Sequence, residues 1–168
     1  MIETGLIIVP LLAMILGIGN ICMLVFLKGV FQHAAREGVR WAITYSPSYA
    51  GSACPSQNAC ILQVVQDNSF GFLSGAAGAK LVTINYYAPF SLAAPITSVP
   101  VLSTDPNFPN VNYLNQTNNV VEVVIAGFQW SWMGPISGMT PSAPMALGAS
   151  ASDVLEGYPV GTSAPPAP

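Results

Sequence analysis

From Leu6 to Leu27 the chain runs for 22 residues without a charged side chain, and Asn20 is the one strongly polar member. As a helix this stretch would be about 33 Å long, against about 30 Å for the hydrocarbon core of a bilayer. A cleavable signal peptide would begin with basic residues, hold about 7 to 15 apolar residues and end at a small-residue cleavage site. Neither the start nor the length fits, so the run reads as a membrane span or a helix buried in a bundle. The rest of the composition agrees. Only 7% of the chain is charged and 52% is hydrophobic, where a soluble domain carries about a quarter charged residues. Such a surface needs cover from lipid, glycan or other copies of the chain. With four Lys plus Arg and a net charge of -3, there is no basic surface to neutralise phosphates, which argues against nucleic acid as a partner.

The helical pattern continues past the apolar run through Lys28 to Tyr45 and meets a breaker cluster at Ser46, Pro47 and Ser48. The expected helix, residues 2 to 45, would be about 66 Å long, with Pro10 loosening its first turns. A short helix is expected over Cys60 to Ser69, with Ile61, Val64 and Val65 on one side. Strands are expected over Lys80 to Tyr87 and Asn119 to Gln129, which are rich in β-branched and aromatic residues. Ala88 to Thr117 reads as a Pro-rich excursion. From Gly134 the chain is Pro, Ala, Ser and Gly-rich, with one patterned stretch at Asp153 to Tyr158. The expected fold is therefore α+β: a long N-terminal helix (1–46), a small β-containing head (47–136) and a Pro/Ala/Gly/Ser-rich C-terminal segment (137–168). The stretch from Val120 to Trp132 is apolar on both alternating faces, as in a strand covered on both sides. One cover would be the chain's own helix, the other the excursion or a neighbouring molecule. Trp130 and Trp132 are expected in a core or subunit contact.

Several residues on the long helix are candidates for contact. Ala34, Gly38 and Ala42 form a stripe of minimal side chains at i, i+4 and i+8, with Ala35 beside it, and such stripes let backbones approach closely. The stripe suits either the chain's own head or a helix of another copy. Ala13 and Gly17 repeat the device inside the apolar run, where no head reaches, so another helix is the expected partner. Arg36, Glu37 and Arg40 form either a solvated helix face or a set of intersubunit pairs. Cys54 and Cys60 bracket a five-residue loop containing Pro55 and are expected to pair, with free thiols or bonds to another chain as the alternatives. Cys22 lies in the apolar run, where a thiol behaves as a small hydrophobe. His33, the only histidine, has no Cys or His at ligand spacing, so neither metal nor cofactor is expected. No nucleophile and base, phosphate loop or paired acids are evident, and a catalytic role is not expected.

The charges flanking the span conflict with the character of the body. No Lys or Arg precedes it, while Lys28, Arg36 and Arg40 follow, which by the positive-inside tendency would hold the body in the cytoplasm. Yet a Ser/Thr/Asn/Pro-rich body with almost no Lys and a candidate disulfide suits an extracytoplasmic setting. A basic leader before Met1, removed on maturation, would reconcile the two.

The segment ETGLIIVPLLAMILGIG, in which Glu3 precedes an apolar run with an early proline, resembles the processed N-terminus of the TadE/TadF-like pilins and pseudopilins of tight-adherence (type IV-related) secretion systems. The segment Ala34 to Arg40, AAREGVR, followed by Trp41, is similar to that family's AAREGAR segment followed by an aromatic residue. Leu81 to Tyr87 and Val120 to Phe128 occupy the places of its two β segments. The resemblance implies a structural subunit, inserted in the cytoplasmic membrane as a precursor and processed by a prepilin peptidase. The pilus assembly machinery would then pack its long helix into an extracellular filament for adhesion or surface attachment. It also implies a role for Glu3, whose carboxylate would meet the α-amino group of a neighbouring subunit during assembly; an interfacial carboxylate near the headgroups is the alternative. A minor pseudopilin that primes or caps a filament, and a monomeric membrane-anchored exported binding protein, are the competing readings.

Overall fold

The computed structural model describes residues 2–44, 48–53, 55–89, 91, 93–96, 118–132 and 144–156, with the side chains of 2–6 and 53 excepted. One helix dominates. α1 (Ile2–Ile43) is continuous through Pro10. It is followed by a hairpin of two short strands, β1 (Ser48–Tyr49) and β2 (Ser52–Ala53), and by α2 (Gln57–Asp67) and α3 (Gly75–Ala79). The main sheet comprises β3 (Val82–Tyr87), β4 (Val120–Trp130) and β5 (Met145–Val154), antiparallel in the order β3-β4-β5. The α+β class expected from the sequence is the one found. Most of the Pro-rich excursion lies outside the described residues.

Two halves of α1 live in different surroundings. Between Leu27 and Ala42 the buried positions are Leu27, Val30, Phe31, Ala34, Ala35, Gly38, Val39 and Ala42, the three-and-four spacing of a single helix face. That face packs on β4, β5 and α2. α2 buries Gln57, Cys60, Ile61, Val64 and Val65 by the same periodicity. Its first turn is fixed twice: the Ser56 hydroxyl accepts from Ala59 N at 3.1 Å, a side-chain N-cap, and Gln57 Nε2 donates to Ala42 O at 3.2 Å. The second bond ties the start of α2 to the end of α1.

On the sheet, Val121, Val123 and Ile125 face the helices and are buried. Two-residue alternation would then turn Phe128 and Trp130 away. Instead both pack against the core, because the register slips between Ile125 and Phe128. Gly127, at φ +81°, supplies the left-handed backbone of this bulge. The inserted residue changes the parity of the strand, so odd positions before it and even positions after it share one face. This accounts for the apolar character on both nominal faces. The helical layer covers the inner one, while Val120, Glu122 and Val124 on the other are only partly buried.

β5 has no counterpart in the expected strands, since the stretch after Gly134 reads as an irregular tail. It completes the sheet along β4 from Val120↔Val154 to Trp130↔Met145. Beyond it, Leu155 is 1% exposed and its amide donates to Asn119 O at 2.7 Å.

Among the described glycines of α1 the tightest is Gly38, where a Cβ would sit 2.6 Å from Val65 Cγ2 and 3.6 Å from Ile61 Cγ2. Around Gly17 nothing lies within 4 Å of that position. Gly38→Leu is therefore expected to destabilise the head by about 1–3 kcal/mol through overpacking, whereas Gly17→Leu should leave it unchanged. Chemical denaturation of the detergent-solubilised chain, followed by tryptophan fluorescence, measures both; equal effects would contradict this packing.

Candidate functional site

The N-terminal half of α1 is the feature that demands a partner. Ile7, Ile8, Val9, Leu11, Leu12, Met14, Ile15, Ile18, Ile21 and Val25 are each at least 48% exposed, and only 6% of the most apolar 18-residue stretch is buried. At about 1.5–3 kcal/mol per large side chain, leaving these ten in water would forgo about 15–30 kcal/mol, more than the net stability of a typical domain. The stretch is long and apolar enough to cross a membrane. Ala13 is exposed on it and Gly17 half-buried, so both sit on the bare half. Glu3 lies in the first turn of α1; its side chain is outside the described residues.

The small residues of AAREGVR have a different place. Ala34 and Ala35 are fully buried, and Gly38 meets Val65, Ile61 and Val123. They pack α1 on its own head, one of the two partners that the stripe suits. The charged residues of the same segment stand outside: Arg36 and Arg40 are exposed and Glu37 half-buried. Together with Ile43, Ser152 and Asp153 they line a cleft of about 310 Å³ between α1 and the edge strand β5. A second cleft, about 240 Å³, lies between Arg40, Trp41, Tyr49, Val64 and Asn68. The edge-on contact of Trp41 with Tyr49, 6.3 Å between centroids, holds the β1–β2 hairpin against the end of α1.

Cys22 is a free thiol. It is exposed on the bare half, not enclosed by the head. Cys60 is buried in the first turn of α2, and Cys54 lies outside the described residues. Among the described residues no three His, Cys, Asp or Glu side chains come together as they would around a metal ion.

The outer face of the sheet carries a polar cluster that the sequence did not announce, because its members are 35 and 37 residues apart. Glu122 Oε2 accepts from Tyr87 Oη at 2.8 Å and from Asn85 Nδ2 at 3.2 Å. Asn85 and Glu122 are direct cross-strand partners. The hydrogen bond to the carboxylate, followed by desolvation and the adjacent negative charge, raises the Tyr87 pKa above its ordinary 10.0.

The fold is thus a long helix with a bare apolar half, continuous with a small packed α+β head. A family model described as TadE-like protein matches residues 1–40, the bare half of α1 and most of its packed half. Over that helix the chain is similar to TadE-like proteins. No curated protein and no solved structure matches the chain.

The Tyr87 shift has a definite sign. A phenol whose folded pKa is raised contributes stability that is fully present below its unfolded value and is lost as pH rises through the folded one. Tyr87→Phe should therefore lower the Tm of the head at neutral pH. The gap from the parent should close as pH is raised above about 10, as read by thermal melts from pH 7 to 11; a gap independent of pH would exclude the bond as its source.

Proposed function

We propose that this protein is a structural pilin-like subunit, inserted in the cytoplasmic membrane through the N-terminal half of α1 and then polymerised through that half into an extracellular filament. The observation that carries the reading is the bare half of α1 itself. It needs an apolar environment before assembly and an equally apolar one after it, and lipid followed by the helices of other copies supplies both. Processing by a prepilin peptidase and extraction by pilus assembly machinery belong to the same proposal. So does a role for the filament in adhesion or surface attachment.

Within the bundle, Ala13 and Gly17 are the positions where a second helix approaches most closely. Glu3 meets the α-amino group of a neighbouring subunit. A charge-assisted hydrogen bond of that kind is roughly twice as strong as a neutral one, and it sets an axial register that uniformly apolar helices lack. Glu3→Ala and Gly17→Leu should each reduce the sheared filament fraction on the order of tenfold, the effect of about 1.4 kcal/mol lost per subunit contact. The membrane-bound precursor should be unchanged, because neither substitution makes the span more polar. Filament yield at the parental level from both variants would leave a monomeric anchored binder as the better reading. Loss of yield complemented by a different major subunit would indicate a minor, priming role.

The exported setting carries a covalent expectation of its own. Cys54 and Cys60 close a short loop at the start of α2, and their bond is worth about 2 kcal/mol on the loop-closure estimate. Alkylation of the unfolded chain without reductant should mark Cys22 alone, and reduction should add two further sites. Three alkylated cysteines without reduction would remove the bond.

A further inference from the structure

We propose that the end of the head nearest the bare half of α1, marked by the exposed Phe70 and Met145, seats in the headgroup region of the bilayer that α1 crosses. The inference rests on the membrane-span reading of α1 and adds a lipid-binding surface on the head. Four observations converge on it. From Ile7 to Phe26 the bare helix is about 30 Å long, one hydrocarbon thickness, so the water interface falls near Phe26, and the first charge after the span, the exposed Lys28, follows at once. At that level Phe70 lies against Phe26, 6.4 Å between ring centroids, and is 74% exposed.

Phe70 is also held there. It has φ +53°, a backbone conformation that L residues other than Gly, Asn and Asp seldom adopt. Its turn is braced by the buried Ser69, whose hydroxyl donates to Gln66 O at 2.6 Å and accepts from Leu73 N at 3.2 Å. Gln66 Nε2 in turn donates to Leu73 O at 2.8 Å. The braced turn thus holds a large aromatic ring out of the core, where it is exposed at the end of the head.

The sheet ends at the same level. Gly38 faces Val123, and Phe31 lies edge-on to Phe128 at 5.0 Å, so β4 runs antiparallel to α1 and finishes toward the bare half. Its last residue, Trp130, is paired with Met145, which is 44% exposed. Trp130 itself packs inward against the core, with Nε1 buried. Exposed Phe and Met side chains at the end of a span, with a lysine beside them, match the chemistry of the boundary between acyl chains and headgroups, where apolar groups and cations both find partners.

The test uses the full chain in phosphatidylcholine vesicles with Cys22→Ala as background, after checking that this parent takes up no nitroxide label. Labels are placed singly at Phe70→Cys, Met145→Cys, Val9→Cys within the span and Ser52→Cys in the distant hairpin. Collision rates with oxygen and with a water-soluble nickel chelate are read by electron paramagnetic resonance. Phe70 and Met145 should show several-fold lower nickel accessibility and higher oxygen accessibility than Ser52, at a depth between Ser52 and Val9. Aqueous values at Phe70 and Met145 with Val9 buried in lipid would overturn the seat alone. An aqueous Val9 would overturn the membrane span and the seat with it. Protection from both reagents, with dipolar broadening that grows with protein density, would assign the surface to a second copy and overturn the lipid proposal.

Discussion

The structure depends on a helix whose two halves have incompatible requirements. From Leu27 to Ala42 one face is satisfied by the chain itself, and the opposite face is polar enough for water. Before Leu27 there is no polar face, and apart from the buried Asn20 and from Met23 and Phe26, which touch the head, most of the large side chains are left exposed. The head can fold as a unit because its core, built around Phe31, Ile61, Leu73, Val121, Val123 and Ile125, contains only the second half of α1. The first half is left for whatever apolar medium it meets. The medium around that half can therefore be exchanged without disturbing the core.

Small residues serve both halves in different ways. At Ala34, Ala35, Gly38 and Ala42 they bring α1 down onto α2 and the sheet, and β5 meets the helix with small residues of its own, Ala149 and Ala151, packed against the core. The close spacing of helix and sheet is thus shared between two stretches of chain that each look unremarkable in isolation. At Ala13 and Gly17 the same residue types leave a shallow surface on a bare helix. Spacing alone does not separate these uses; what separates them is whether the head extends over the position.

That distinction also explains what could be read from the sequence. The head-facing side of α2 was legible from its period in large apolar residues, the long helix from its unbroken run up to the breakers at Ser46 and Pro47, and strands β3 and β4 from their β-branched and aromatic residues. The free half of α1 was legible from its lack of charge. β5 was not, since ALGASASDV has weak strand propensity and almost no large side chain; it becomes a strand by completing the edge of β4. The bulge at Gly127 was hidden because its effect, a change of parity, looks like an apolar strand with two buried faces. The destination of the AAREGVR small residues stayed open between the head and another copy, because both choices present the same helix stripe. The polar cluster around Glu122 joins residues distant in sequence, and only the β3–β4 register brings them together.

The placement of charge follows from the same division. A uniformly apolar helix has no preferred depth, since sliding it along its axis exchanges one aliphatic contact for another. Depth must come from its ends. At the lower end of the packed half, Lys28 is exposed, and a cation carried into hydrocarbon is expensive. Above it, Arg36 and Arg40 open onto clefts at the surface of the head, where exposed charges contribute only about 0–1 kcal/mol to stability as pairs. Their effect is therefore positional more than cohesive: they keep the packed half of α1 and its head out of the apolar layer, whichever layer that is, while the small residues at Ala13 and Gly17 leave the bare half free to pack. Register along the helix axis then depends on where the apolar run stops, and the boundary near Phe26 and Leu27 is common to the span, to the head and to the exposed aromatic residues beside it.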